Sequence, residues 1–236
     1  TGRIAGIGMD EQSLLFKIST WVLPIVLAVT FHEASHGWVA WKLGDDTAFN
    51  EGRITFNPIK HIDPFGTVIL PALLLLATGG KMSFGYAKPV PVNFWALNKP
   101  RRDMVLVALA GPGSNLILAI LSAALFHVVE LVPRDIQPWL AANLMMSILF
   151  NLILCIFNMI PIPPLDGGRV AVGILPPSLA QPLARLERAG FAIILGALFL
   201  LPWLGNYVGL DLNIFMWIVG IPAFELAGFI IDMVGF

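Results

Sequence analysis

Runs of about 20 apolar residues recur five times along this chain, near 13–43, 103–132, 138–160, 187–204 and 212–234. As a helix, each is long enough to cross a hydrocarbon core of about 30 Å. Lipid offers no partner for a bare N–H or C=O, so runs of this kind that cross a bilayer do so as helices closed on their own hydrogen bonds. With 57% hydrophobic and only 12% charged residues, and a mean hydropathy of +0.82, the composition is unlike that of a water-soluble domain. The pattern predicts an all-α polytopic membrane protein of about five or six transmembrane helices.

A sixth run, "FGTVILPALLLLATGG" from Phe65, fits poorly as a span. It holds about 15 residues before Gly79, roughly 22 Å of helix, and Pro71 interrupts it. Its length predicts a re-entrant segment that dips into the bilayer and returns. Two polar connectors flank it, "KLGDDTAFNEGRITFNPIKHIDP" and "KMSFGYAKPVPVNFWALNKPRR". No internal repeat and no separate soluble domain is evident, so residues 1–236 read as a single membrane-embedded domain. Its motif-bearing core spans about 13–175, and accessory helices occupy about 185–236. The first apolar run keeps its polar residues and has little basic flank, unlike a cleavable leader. Residues 1–8, ahead of Met9, read as an expression remnant. A net charge of −1 leaves no basic footprint for nucleic acid. The lone Cys155 lies in an apolar stretch and reads as a small buried hydrophobe.

Against this background, "FHEASHG" from Phe31 to Gly37 is costly, because an ionisable side chain at mid-membrane costs roughly 2.5–3.5 kcal/mol on insertion scales. "HEASH" matches H-E-x-x-H, and helical i, i+4 spacing sets His32 and His36 on one face, able to share a zinc ion. Glu33 can then serve without being a ligand. Zinc lowers the pKa of a water it binds towards about 7, and an adjacent carboxylate can take the proton during attack on a carbonyl. The bland alternative is a set of satisfied polar residues between packed helices.

A catalytic zinc takes three protein ligands, and no further histidine follows His36 in "HEASHGWVAWKLG". His61, near Asp63 and Pro64, reads as an interfacial polar residue, and His127, near Glu130, as a surface one. Asp166 remains, in "FNMIPIPPLDGGRV", where Pro161, Pro163 and Pro164 break a helix and two glycines follow the aspartate. On its own that stretch also reads as a helix end followed by an aspartate cap.

"HEASH" together with "NMIPIPPLDGG" resembles the site-2 protease family of intramembrane zinc metalloproteases, whose second motif has the form N-x-x-P-x-x-x-x-D-G. Asn158, Pro161, Asp166 and Gly167 fit it, and "FGYAKPVPVN" and "AGPGSN" extend the similarity over roughly residues 30–170. The resemblance implies one Zn2+ per chain, held by His32, His36 and Asp166, with Glu33 as general base and transmembrane proteins as substrates. It implies a minimal member, since the chain carries no PDZ-like insert or nucleotide-sensing domain. It also implies a small membrane-associated β-element at Tyr86, Ala87, Lys88, Pro89, Val90, Pro91, Val92 and Asn93, to which substrate adds as a strand. A solvated polyproline-like loop is the alternative from the residues alone. Asn115 and Asn158 are candidates for holding the oxyanion or positioning substrate, and Asn151 shares a helix face with Asn158. Buried asparagines also join membrane helices.

Topology sets a condition. A full span at Phe65 would put Asp166 on the opposite side of the bilayer from Lys42, whereas a re-entrant segment brings both to one side. Charge is biased either way: Lys and Arg divide eleven to three for the re-entrant arrangement and ten to four for the full span. Length, Pro71 and closure of the metal site favour re-entry, with the site nearer the cytosolic face of a bacterial cytoplasmic membrane. Other functions open to the same residues are a metal-ion transporter and a non-catalytic scaffold. The sparse ionisable residues after position 180 disfavour the transporter.

Overall fold

The computed structural model describes residues 14–77, 79, 80 and 85–235. The first eight residues, read above as a remnant, lie outside the described ones. Five helices are long and apolar enough to cross a membrane: Leu14–Lys42, Pro100–Leu131, Gln137–Asn158, Glu187–Val208 and Met216–Met233. The chain is a multi-pass integral membrane protein. In order along it come α1 (Leu14–Lys42), α2 (Thr47–Asn50), a 3-10 turn at Pro58–His61, and a widened π-type turn at Pro64–Ile69 that runs into α3 (Leu70–Ala77). Next are α4 (Pro100–Ala124), continued by a 3-10 stretch at Leu125–Leu131, then α5 (Gln137–Asn158), α6 (Asp166–Ile174) and α7 (Pro177–Arg185). The last two candidate spans are α8 (Glu187–Leu195) followed by α9 (Leu201–Val208), and a stretch from Met216 into α10 (Ile221–Met233).

Three helices, α1, α4 and α5, pack against one another and form the frame. The α4–α5–α10 seam is built on small residues, with Ala119, Ala123, Ala223 and Ala227 around Ile148 and Leu152. Lipid supplies no hydrophobic drive for helix association, so close backbone approach over alanines gives these helices their dispersion contact. Pro100 and Pro138 sit in the first turns of α4 and α5, where the missing N–H costs nothing.

The backbone N–H of Asn98 donates to the carbonyl of Leu43 at 2.8 Å, so the chain leaves α1 and enters α4 at the same end of the bundle. At the other end, the Trp139 indole donates to Ser19 Oγ at 2.9 Å, joining the start of α5 to the start of α1. The apolar helix between the connectors spans only Pro64–Ala77, and the chain comes back beside its beginning. The N–H of Tyr86 donates to the carbonyl of Gly66 at 3.0 Å, and that of Lys88 to the carbonyl of His61 at 2.9 Å. The chain at Tyr86 therefore lies beside the start of the segment, and Asp166 lies at the end of the bundle where Lys42 lies.

One expectation is corrected. The β-element has no counterpart, because no strand occurs among the described residues. Residues 85–93 form no regular element and pair with no neighbouring strand. Pro89 and Pro91 have no N–H to give a ladder, and the anchors are scattered instead. Arg53 donates to the carbonyls of Lys88 and Pro89 at 2.9 and 3.3 Å, and Asp45 accepts from the N–H of Asn93 at 2.6 Å. His61 is buried rather than interfacial, with Nε2 donating to the carbonyl of Thr55 at 2.9 Å. His127 is exposed and donates to the carbonyl of Val234 at 2.7 Å, away from the other histidines.

Candidate metal centre

His32 and His36 lie one turn apart on α1, both buried, and their Nε2 atoms are 3.0 Å from each other. Asp166 Oδ2 is 3.2 Å from each of those nitrogens. Asp166 opens α6, in the first turn after the N-cap residue Leu165. The turn before it folds tightly because of the two glycines that follow. A Cβ on Gly167 would lie 2.2 Å from the carbonyl oxygen of Met159, and one on Gly168 would lie 2.2 Å from the nitrogen of Pro163. Only backbone without a side chain can pass that close.

The hydrogen bonds on the far side of each ring decide what faces the centre. His36 Nδ1 lies 2.7 Å from the carbonyl of Val107, which can only accept, so Nδ1 carries the proton. His32 Nδ1 lies 2.7 Å from Asn115 Oδ1. The amide of Asn115 is held in that orientation because its Nδ2 donates to the carbonyl of Ala28 at 3.1 Å and to Asn151 Oδ1 at 2.8 Å. Each imidazole therefore turns an Nε2 lone pair inward, as a metal-ligating histidine does.

With both rings neutral in that tautomer, two nitrogen lone pairs and a carboxylate oxygen converge, and Asp166 Oδ2 is buried without a hydrogen-bond donor. Three acceptors about 3 Å apart repel unless a cation lies among them. These three are the group of His, Cys, Asp and Glu among the described residues whose ligand atoms come close enough to hold a metal ion. A tetrahedral zinc with bonds of about 2.0–2.1 Å keeps its ligand atoms about 3.3 Å apart, so a donor set of two imidazoles and one carboxylate at these spacings fits zinc.

The centre opens on a cavity of about 550 Å³ lined by His32, Glu33, His36 and Asp166, by Asn158, and by Tyr86, Ala87, Pro89 and Val90 of the 85–93 segment. Glu33 reaches across to that segment, where its Oε2 accepts the N–H of Val90 at 2.7 Å. Asn158 lines the cavity with Nδ2 bonded to the carbonyl of Leu154 at 3.0 Å, which leaves one amide hydrogen. Asn115 has no such reserve, being fully buried with both amide hydrogens engaged, so it orients His32 instead of facing the cavity.

Comparison with known proteins carries the same signature. The model of peptidase family M50 matches residues 20–136 and 134–202. The chain belongs to peptidase family M50. Among relatives of this M50 member, "Putative zinc metalloprotease YwhC" of Bacillus subtilis is 41% identical over 191 residues, covering 79% of this chain and 82% of the relative. "Putative zinc metalloprotease Rip2" is 32% identical in Mycobacterium tuberculosis strain H37Rv, covering 80% of this chain and 68% of the relative. The protein of that name in Mycolicibacterium smegmatis is 29% identical, covering 82% and 73%. No solved structure gives a significant match. M50 is the site-2 protease family, and the chain is a zinc metalloprotease by membership.

Several residues of this M50 site have no signal in the sequence. The carbonyl of Val107 and the amide of Val90 are backbone groups, and Arg53 and Asp45 act from a connector far along the chain. Gly111 was legible only as part of "AGPGSN". A Cβ there would lie 2.4 Å from His36 Nε2 and 2.6 Å from His32 Cε1, so glycine is what lets α4 lie against both imidazoles.

Proposed function

We propose that this chain is an intramembrane endopeptidase that hydrolyses peptide bonds within transmembrane segments of membrane-anchored proteins. The reading is carried by one observation: the Glu33 carboxylate opens on the same cavity as the three converging lone pairs of His32, His36 and Asp166. Those three would hold zinc, which when bound supplies Lewis acidity and a water of lowered pKa. Glu33, fixed through Oε2 by Val90, keeps Oε1 to take a proton from the attacking water and return it to the departing amine. The remaining amide hydrogen of Asn158 can donate to the oxyanion.

A peptide bond within a helix is shielded, so the substrate must extend. Residues 86–93 are suited to receive it. The N–H groups of Tyr86, Lys88 and Val90 point inward to protein acceptors. Tyr86, Ala87, Pro89 and Val90 line the cavity. Backbone pairing with Ala87 would hold the substrate in line with the centre. The basic residues of the connectors support placing this end of the bundle at the cytosolic face.

The test is cleavage of a model transmembrane substrate in liposomes by the parent and by Glu33→Gln. The variant should keep its zinc and lose cleavage by about 10²–10⁴-fold, the usual worth of a general base. Equal activity in the two, or zinc flux across liposomes with no cleavage by either, would overturn the reading.

A further inference from the structure

Polar side chains run along one face of α5 at helical spacing: Asn143, Ser147 and Asn151, each four residues from the next. In lipid such groups are costly unless satisfied. The lower part of the face joins the metal centre through side chains alone. Asn151 Oδ1 accepts from Asn115 Nδ2 at 2.8 Å, and Asn115 Oδ1 accepts from His32 Nδ1 at 2.7 Å. Asn151 is itself oriented by the carbonyl of Ser147, to which its Nδ2 donates at 2.8 Å, with Ser147 Oγ at 3.3 Å. Ser147 Oγ shares a hydrogen bond of 2.7 Å with Ser122 Oγ on α4.

An amide is nearly symmetric in shape and strongly asymmetric in chemistry. Turned over, Asn115 would present Nδ2 to His32. The imidazole would then have to accept at Nδ1 and carry its proton on Nε2, where a metal must bind. The acceptors on Ala28 and Asn151 exclude that orientation, since Asn115 Oδ1 would then face two oxygens. Asn151 is in turn held by a backbone carbonyl that cannot reverse its role. We propose that Asn151 is a positioning residue of the metal centre, which fixes the ligating tautomer of His32 through Asn115. This rests on the zinc reading of His32, His36 and Asp166. Asn143 supplies the natural control. It is a buried asparagine on the same face, but its Nδ2 donates only to the carbonyl of Trp139 within its own helix, and it has no link to His32.

The experiment measures zinc affinity of the full-length protein in detergent by competition with a chelator, together with the visible spectrum of its Co2+-substituted form. Outer hydrogen-bond partners of metal ligands are worth about 10–100-fold in affinity. Asn151→Leu should weaken zinc binding about tenfold and shift the cobalt spectrum. Asn151→Asp, uncharged at this depth, offers both an acceptor toward Asn115 and an O–H toward Ser147, and should recover most of the loss. Asn143→Leu should bind zinc within about twofold of the parent, with the parent's cobalt spectrum. Affinity within about twofold of the parent in Asn151→Leu would overturn the inference, as would an equal loss in Asn143→Leu, which would mark a packing effect. So would an Asn151→Asp variant as weak as Asn151→Leu. A parent that binds no zinc would instead remove the metal-centre reading, and this inference with it.

Discussion

The half of the molecule built from α1, α4, α5 and α6 and the half that follows residue 186 solve the bilayer differently. The first half buries His32, His36, Asn115, Asn151 and Asp166 among its helices, with His32, Asn115 and Asn151 joined by hydrogen bonds and His32, His36 and Asp166 sharing one centre. The second holds few polar groups, and in its 187–208 span 11% of the most apolar window is buried, against 28% for α1 and 33% for Pro100–Leu131, while its Met216–Met233 span matches α1 at 28%. Polar groups in lipid demand tight, fully determined packing, while apolar helices need none of that to remain in the membrane. The contrast locates rigidity where chemistry is placed. In that second half α8 brings Phe191 and Ile194 to the cavity wall, where the Phe191 ring meets Tyr86 edge-on.

Glycine substitutions should expose that contrast most strongly. Gly111→Ala drives a methyl into both imidazoles and should abolish zinc retention, with cleavage down by more than about 100-fold. Gly196→Ala in the second half meets nothing within 4 Å, and should leave both unchanged within about twofold. Metal content by elemental analysis alongside an activity assay checks the pair, and equal sensitivity at both positions would erase the distinction. Next in size is Asn115→Leu, which removes the acceptor on His32 Nδ1 and should weaken zinc binding about 10–100-fold, read by chelator competition. A smaller effect, confined to substrate, should follow Arg53→Leu. Freeing the carbonyls of Lys88 and Pro89 loosens residues 86–93, so cleavage should fall about tenfold, the worth of a charged hydrogen bond, with zinc content intact. Trp203→Ala, on the exposed flank of α9, should change cleavage by less than about twofold.

How much of this was legible beforehand depended on whether a feature leaves a local pattern. The five spans were readable because length and apolarity are counted along the chain, and Leu14–Lys42 falls within a residue or so of the run at 13–43. The short Phe65 segment was judged by its length, by Pro71 and by closure of the metal site, and the Tyr86 to Gly66 hydrogen bond brings the following chain beside its start. His32 and His36 were visible because helical spacing converts sequence distance into a shared face. The β-element was misjudged because alternating Val and Pro resembles an edge strand, while the contacts that hold it come from Glu33, Asp45 and Arg53, each remote in sequence. Asn115 was legible as a buried amide but not in its task, since which way an amide faces depends on carbonyls such as Ala28 that any residue could supply.

Zinc content per chain in the parent, in Glu33→Gln and in Asp166→Ala, measured after mild chelation, bears most directly on the metal centre. One ion shared by His32, His36 and Asp166 predicts a single zinc in the first two proteins and almost none in the third. A full zinc in Asp166→Ala would contradict it.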